Sequence, residues 1–204
     1  MNKRTLILLA ALVPVLSGCF GAAAVGVGAG ALVYADRRTS EMMVTDEGIE
    51  IRAGNRISEK FGANTHVNVT SYNRTVLLTG EVPDAAIKAE IENLVSGVAN
   101  VKAISNELQI GAVSSLTNRS NDAYITSKVK ARFIDANQFS ANHVKVVTEN
   151  GVVYLMGLVY PKEVTAAVEV ARTTAGVQKV VRVFEVLADP APAAVRKEAA
   201  APAQ

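Results

Sequence analysis

The chain has 204 residues, with 21 basic and 19 acidic side chains and a formal net charge of +2. Lys3 and Arg4 account for the positive excess, so the rest of the chain is nearly neutral and lacks the basic balance of a nucleic-acid-binding protein. The absence of Trp and the 5% aromatic content argue against stacking sites for carbohydrate or single-stranded nucleic acid. A single cysteine excludes a framework of internal disulfides.

Residues 1–18 are predicted to be a cleaved export signal. Lys3 and Arg4 precede an apolar run of about 11 residues, which is too short for a membrane span of about 20 residues. The following Leu16-Ser17-Gly18-Cys19 resembles the bacterial lipoprotein signal, in which the cysteine is acylated after cleavage. The resemblance implies that Cys19 is the lipidation site; the alternative is an ordinary secretory signal with a chance cysteine. In the lipoproteins that this signal resembles, an Asp just after the cysteine favours the inner membrane, so Phe20 and Gly21 imply the outer membrane, with the chain facing the periplasm.

Two segments of unusual composition flank the region that is predicted to fold. Residues 19–45 are predicted to be a lipidated tether, because residues 20–33 consist almost entirely of Gly, Ala and Val. A transmembrane helix is the alternative, but the segment is short and interrupted by glycines. Residues 189–204 are rich in Ala and Pro without apolar periodicity and are predicted to be a disordered tail.

An internal repeat divides the folded region into two copies. Val76-Leu77-Leu78-Thr79-Gly80 matches Val153-Tyr154-Leu155-Met156-Gly157 at an offset of about 77 residues, and His66 matches His143 at the same offset. We therefore predict one domain at residues 46–111, a linker at 112–121 and a second domain at 122–188. A domain of this size is marginal alone, so the two copies are expected to pack together.

Each copy has the pattern helix, strand, strand, helix, strand. Asp46 and Asp122 are predicted to be the N-caps of the first helices, which carry apolar residues four apart. These apolar residues are Ile49, Ala53 and Ile57 in the first copy and Ile125, Val129 and Phe133 in the second. A hairpin follows, with a strong Asn150-Gly151 turn signal in the second copy.

The second helix of each copy is predicted to run from Pro83 to Gly97 or from Pro161 to Gly176. The last strands are predicted at residues 101–110 and 179–187. The predicted fold class is α+β: two tandem αββαβ domains, each with a small three-stranded mixed sheet packed against two helices.

This pattern resembles the BON domain, a small αββαβ module of bacterial envelope proteins. The resemblance is carried by Asn150-Gly151 followed by Val153, Leu155, Gly157 and Val159, and by the later Gly-Val-x-x-Val at residues 176–180. Together with the lipoprotein signal, the two copies resemble dual-BON outer-membrane lipoproteins. Asn73-Arg74-Thr75 replaces the Asn-Gly turn in the first copy.

The resemblance implies a non-enzymatic protein that binds anionic phospholipid and helps to maintain the integrity of the outer membrane. In this family the lipid contact is attributed to the first helix of the second domain. That helix supplies six candidate lipid-binding residues: Tyr124, Ile125, Lys128, Val129, Arg132 and Phe133. Its composition supports the assignment, because it has three basic residues and no acidic residue between Asp122 and Asp135. An ordinary solvated helix face is the alternative.

No constellation in the sequence indicates catalysis, a cofactor, a metal or a small-molecule substrate. The chain has two histidines, which occupy matching positions in different copies, and no Gly-x-Ser-x-Gly motif occurs. Gly80 and Gly157 are predicted to be structural glycines at which the sheet bends or a neighbour approaches closely. Two functions remain: a lipid-binding protein that supports envelope integrity, or an adaptor whose domains dock another envelope protein and whose lipid is only an anchor.

Overall fold

A computed structural model describes residues 36–62 and 65–189, all of which belong to one compact unit. Cys19, the predicted export signal, most of the predicted tether and nearly all of the predicted tail lie outside the described residues. Within the described ranges, no helix combines the length and apolar character needed to cross a bilayer.

The first domain contains two helices and a small mixed sheet. Its elements are α1 (Ser40–Phe61), β1 (His66–Tyr72), β2 (Thr75–Val82), α2 (Ala85–Ser96), β3 (Ala103–Asn106) and β4 (Gln109–Ile110). Strands β1 and β2 form an antiparallel hairpin, while β3 and β4 both pair in parallel with β2. The single predicted last strand is therefore interrupted.

The second domain repeats this order. Its elements are α3 (Leu116–Ala136), a 3₁₀ turn (Ala141–His143), β5 (Val144–Glu149), β6 (Val152–Val159), α4 (Pro161–Arg172) and β7 (Lys179–Val186). Strand β6 pairs antiparallel with β5 and parallel with β7. The predicted α+β class with two αββαβ copies is confirmed.

The first helix of each domain begins earlier than predicted. Thr39 caps α1 by accepting a hydrogen bond from the amide of Met42, and Ser115 caps α3 in the same way. Helix α3 therefore starts within the segment predicted to be a linker. The prediction that Asp46 and Asp122 are N-caps is wrong, because both lie inside their helices and are buried.

Asp46 and Asp122 instead bind the hairpin turns. The Asp46 carboxylate accepts hydrogen bonds from the amides of Asn73 and Arg74, each 2.8 Å long, and from the Ser71 hydroxyl at 2.7 Å. The Asp122 carboxylate likewise accepts bonds from the amides of the Asn150-Gly151 turn, at 2.9 and 2.8 Å. Each buried carboxylate thus joins a helix to the turn of the sheet beneath it.

The second helices agree with prediction in part. Pro161 is the first residue of α4, as expected, but Asp84 caps α2 and Pro83 precedes the helix. Helix α2 ends at Ser96 and Gly97 is its C-cap residue, at the predicted boundary. Helix α4 ends at Arg172, before Gly176, and the hydroxyl of the next residue, Thr173, bonds back to the Glu169 carbonyl.

Helices cover one face of each sheet, and the predicted apolar helix faces are buried there. Residues four apart on α1 and on α3 pack against alternate residues of the central strand. The first core includes Ile49, Ala53, Ile57, Val76, Leu78 and Val82, and the second includes Ile125, Val129, Phe133, Val153, Leu155 and Val159.

The other faces of the two sheets cover each other. Tyr72 and Leu77 of the first domain form one buried cluster with Tyr154 and Met156 of the second. We call this contact the interdomain seam. Hydrogen bonds between the domains surround it; for example, the Asn73 side-chain amide donates to the Glu185 carboxylate at 2.9 Å. The expectation that the two copies pack together is confirmed.

Candidate functional site

Three of the six predicted lipid-binding residues lie in the core. Ile125, Val129 and Phe133 are almost completely buried between α3 and the sheet. Their prediction as residues that enter a membrane interface is wrong in this structure. Four-residue apolar spacing marks the inward face of a helix in a folded domain as readily as it marks a membrane-binding face.

The exposed side of α3 carries a different set of apolar residues. Leu116, Tyr124 and Ile134 expose 78%, 62% and 67% of their surface, and Lys130 is exposed beside them. We call these four residues the outward face of α3. Sequence reasoning identified Tyr124 but missed Leu116 and Ile134. A signal for Ile134 existed, because it is turned about 100° away from the core residue Phe133.

Lys128 and Arg132 are partly buried and bind the end of α4. Lys128 donates to the carbonyl of Ala175 and lies over the Tyr124 ring, with 4.5 Å between its ammonium nitrogen and the ring centroid. Arg132 donates to the carbonyl of Val170 at 3.1 Å and to the hydroxyls of Thr173 and Thr174. Cations at the C-terminal end of a helix stabilise it, so both residues have a structural role.

The first domain has the same arrangement. Arg52 donates to the carbonyl of Ala99 at 3.5 Å, and Arg56 donates to the carbonyl of Gly97 at 3.1 Å. The basic residues at these repeat positions therefore support the second helix of each domain. Their presence alone does not identify a membrane-binding helix.

A histidine and two glutamates from both domains meet beside the interdomain seam. The Nδ1 atom of His66 lies 2.9 Å from a carboxylate oxygen of Glu81 and 3.9 Å from one of Glu149. Both glutamates are only 3% exposed. Burial raises the pKa of Glu149, although its bond from Asn68 opposes that shift.

Glu81 has more compensation for its burial. It accepts bonds from the Ser114 amide at 3.0 Å and from the Asn150 side chain at 2.6 Å, in addition to its contact with His66. Burial alone would raise the pKa of Glu81, but these bonds outweigh it and lower the pKa.

The second histidine belongs to a separate cluster. The Nδ1 atom of His143 lies 3.4 Å from Glu163, which also pairs with Arg37. Arg37 donates to the Leu158 carbonyl at 2.7 Å and stacks on the Tyr160 ring. Burial would raise the pKa of Glu163, but the Arg37 bond and the Tyr160 amide lower it below its ordinary value.

The segment just before α1 contacts both domains. Arg37 binds α4 and β6 of the second domain, as described above. Its neighbour Arg38 pairs with Asp46 at 2.9 Å and lies over the ring of Tyr72, with 3.9 Å between the guanidinium carbon and the ring centroid. The chain therefore enters the folded region at a point where it binds the two domains together.

The two predicted structural glycines lie where the hairpin strands approach each other closely. A Cβ atom on Gly80 would overlap the carbonyl oxygen of His66, and one on Gly157 would overlap the carbonyl oxygen of His143. Gly80 also has a φ of 113°, in the region that favours glycine. Both sites lack space for a side chain.

The comparisons with known proteins all point to the same family. A model of the BON domain matches residues 52–112 and 121–188. The chain is 35% identical to the outer membrane lipoprotein DolP of Haemophilus influenzae, over 91% of this chain and 96% of that protein. It is 35% identical to a 21 kDa hemolysin of Actinobacillus pleuropneumoniae over 73% of this chain and 78% of that protein. It is 29% identical to the osmotically-inducible protein Y of Escherichia coli, over 57% of this chain and 60% of that protein.

Proposed function

Because the chain belongs to the BON-domain family and has two tandem domains of the DolP type, we propose that it is a lipid-anchored protein of the outer membrane. It faces the periplasm, binds anionic phospholipid through the second domain and supports envelope integrity. The similarity to an outer membrane lipoprotein over nearly the whole chain supports the location. The outward face of α3 supports the lipid site.

The composition of the outward face suits a membrane surface. Tyr124 and Ile134 are exposed apolar or amphipathic side chains, and Lys130 lies between them in the sequence without an ion pair to any described residue. Aromatic and aliphatic side chains enter the headgroup region, while each basic residue contributes about 1 kcal/mol of attraction to anionic lipid. This combination of exposed apolar and basic residues is the observation that carries the proposal.

Helix α1 is the internal comparison. It also exposes apolar side chains, Val44 and Ile51, so apolar exposure does not distinguish the two helices. Charge does, because α1 carries five acidic and three basic residues. On α3 the acidic residues are Asp122, which is buried, and Asp135, against four basic residues. An anionic surface should therefore prefer α3.

Co-sedimentation with lipid vesicles tests this site. A form that starts at Phe20 lacks the anchor, so any binding must come from the rest of the chain. We expect it to bind vesicles containing phosphatidylglycerol, to bind phosphatidylcholine vesicles much less, and to lose binding as salt is raised. Lys130→Glu and the double change Tyr124→Ser, Ile134→Ser should each weaken binding by about tenfold or more.

The controls separate a site from diffuse attraction. Lys162→Glu makes the same change of charge in an exposed residue of the first turn of α4 and should leave binding nearly unchanged. Reversing Lys128 or Arg132 is a poorer test, because both bind α4. Equal losses from Lys130→Glu and Lys162→Glu would contradict a localised site. Absence of vesicle binding by the unaltered protein would favour the adaptor function.

Changing Cys19 to Ala should abolish acylation, because the chain has no other thiol. Labelling cells with radioactive palmitate should mark the unaltered protein and give no signal for Cys19→Ala. Ser17→Ala is a suitable control, since it alters the same motif but keeps the thiol, and it should remain labelled. Persistent labelling of the Cys19 variant would refute the lipoprotein assignment.

A further inference from the structure

We propose that His66, Glu81 and Glu149 form a binding site for a divalent transition-metal ion, such as Zn²⁺, that joins the two domains. The three residues can each offer one ligand atom, and these atoms lie within 4.8 Å of one another. Imidazole nitrogen and carboxylate oxygen are ordinary ligands of Zn²⁺.

The spacing of the ligand atoms suits a small ion. Bonds of about 2.0–2.1 Å to a tetrahedral ion place its ligand atoms roughly 3.4 Å apart. The Nδ1 atom of His66 lies 2.9 Å from Glu81 and 3.9 Å from Glu149, which are values on either side of that separation. Small side-chain movements would therefore bring the three atoms around one ion.

The internal repeat shows that the positions of Glu81 and Glu149 carry no carboxylate in the other copy, where His143 contacts Glu163 from α4 instead. At the offset of 77 residues, His66 corresponds to His143, Glu81 to Leu158, and Glu149 to Tyr72. The strand registers agree, since Val67 pairs with Gly80 and Val144 pairs with Gly157. The equivalent cluster around His143 thus has an apolar and an aromatic residue where this one has two carboxylates.

Of the two buried carboxylates, Glu149 has the less compensation for its burial, since Asn68 is its hydrogen-bond donor, whereas Glu81 accepts bonds from Ser114 and Asn150. Burying an ionised carboxylate is costly unless a cation or several hydrogen-bond donors compensate for it. His66 can supply at most one positive charge for Glu81 and Glu149, whereas a divalent ion would supply two. The donors already present, such as Asn68 to Glu149 and Asn150 to Glu81, would orient the ligands from outside the metal shell.

The cluster has an opening to solvent and space for further ligands. His66 and Glu149 line an open cavity of about 490 Å³ that extends along the start of α3 to Asp122 and Thr126. Water in this cavity could complete the coordination, as it does in zinc sites with three protein ligands.

Because the ligands come from both domains, a bound ion would join them at the edge of the interdomain seam. His66 and Glu81 lie on the first hairpin, while Glu149 ends β5 of the second domain. Metal binding should therefore stabilise the contact between the two domains.

Metal analysis of the purified full-length protein tests the proposal. The protein is prepared in detergent without a polyhistidine tag, equilibrated with Zn²⁺ and dialysed, and the bound metal is measured by mass spectrometry. We expect about one Zn²⁺ per chain and a rise in melting temperature on adding Zn²⁺. His66→Ala and Glu149→Gln should each weaken the affinity measured by calorimetry on the order of 100-fold and remove the rise in melting temperature.

His143→Ala is the matched control, because it removes the equivalent histidine of the other cluster, and it should bind Zn²⁺ like the unaltered protein. Glu149→Gln keeps the size of the side chain. Circular dichroism of His66→Ala and Glu149→Gln checks that each variant is folded. Absence of stoichiometric Zn²⁺ in the unaltered protein would overturn the proposal and leave a hydrogen-bonded histidine–glutamate cluster. Equal losses from His66→Ala and His143→Ala, or unchanged binding in Glu149→Gln, would also overturn it.

Discussion

Replacing Asp46 with Ala is expected to lower the free energy of unfolding by about 3–5 kcal/mol, a large part of the stability of a small domain. The buried carboxylate accepts bonds from the amides of Asn73 and Arg74 and from the hydroxyl of Ser71. It also pairs with Arg38. Alanine would leave these donors without an acceptor in a buried environment, where water cannot replace the carboxylate.

Chemical denaturation of the full-length protein measures this effect. Asp84→Ala is the matched control, because Asp84 is also a helix-associated aspartate but is exposed and caps α2 through a single amide. Loss of such a cap costs about 1 kcal/mol. A change in Asp46→Ala no larger than that in Asp84→Ala would show that the bonds to the hairpin turn contribute little.

Replacing Gly80 with Ala is expected to cost roughly 2–5 kcal/mol, from steric overlap and backbone strain together. The new Cβ would overlap the His66 carbonyl oxygen, which belongs to a paired strand and cannot turn aside as a flexible side chain could. The φ of 113° adds strain that glycine alone avoids. Gly157→Ala should show the overlap without the strain and so a smaller loss.

Gly54→Ala is the control for this prediction. Gly54 lies inside α1, and apart from the adjacent backbone of that helix no atom of the described residues lies within 4 Å of the place where its Cβ would be. Alanine is the better helix former, so this change should stabilise the protein by up to about 1 kcal/mol. Urea unfolding of the variants should therefore show opposite signs for Gly80 and Gly54. A neutral Gly80→Ala would mean that the hairpin can open at this point without cost.

Much of the fold could be predicted because local patterns and the repeat agree. The alternation along β2 and β6 and the Asn150-Gly151 turn each depend on neighbouring residues, and the structure has them as expected. The role of Asp46 could not be predicted in this way, because its partners at Asn73 and Arg74 are more than 25 residues away. A carboxylate before an apolar run is equally suited to a cap, and only the position of the hairpin decides between the two.

The candidate sites were less predictable because they too depend on residues that are distant in the sequence. Four-residue spacing marked Ile125, Val129 and Phe133 but could not distinguish a membrane-facing surface from the core. The cluster of His66, Glu81 and Glu149 requires that the open faces of two sheets meet. Strand alternation indicates which residues share a face, but it does not indicate what covers that face.

The packing of the two sheets at the interdomain seam means that each domain covers an apolar sheet face of the other. A chain cut between the domains would expose Tyr154 and Met156 on one fragment and Tyr72 and Leu77 on the other, where they are buried in the whole protein. Exposed apolar sheet faces promote aggregation. Deleting one domain would therefore damage the solubility of the other, and loss of activity in such a fragment would not assign that activity to the missing half. Point substitutions on exposed surfaces are the appropriate way to dissect this protein.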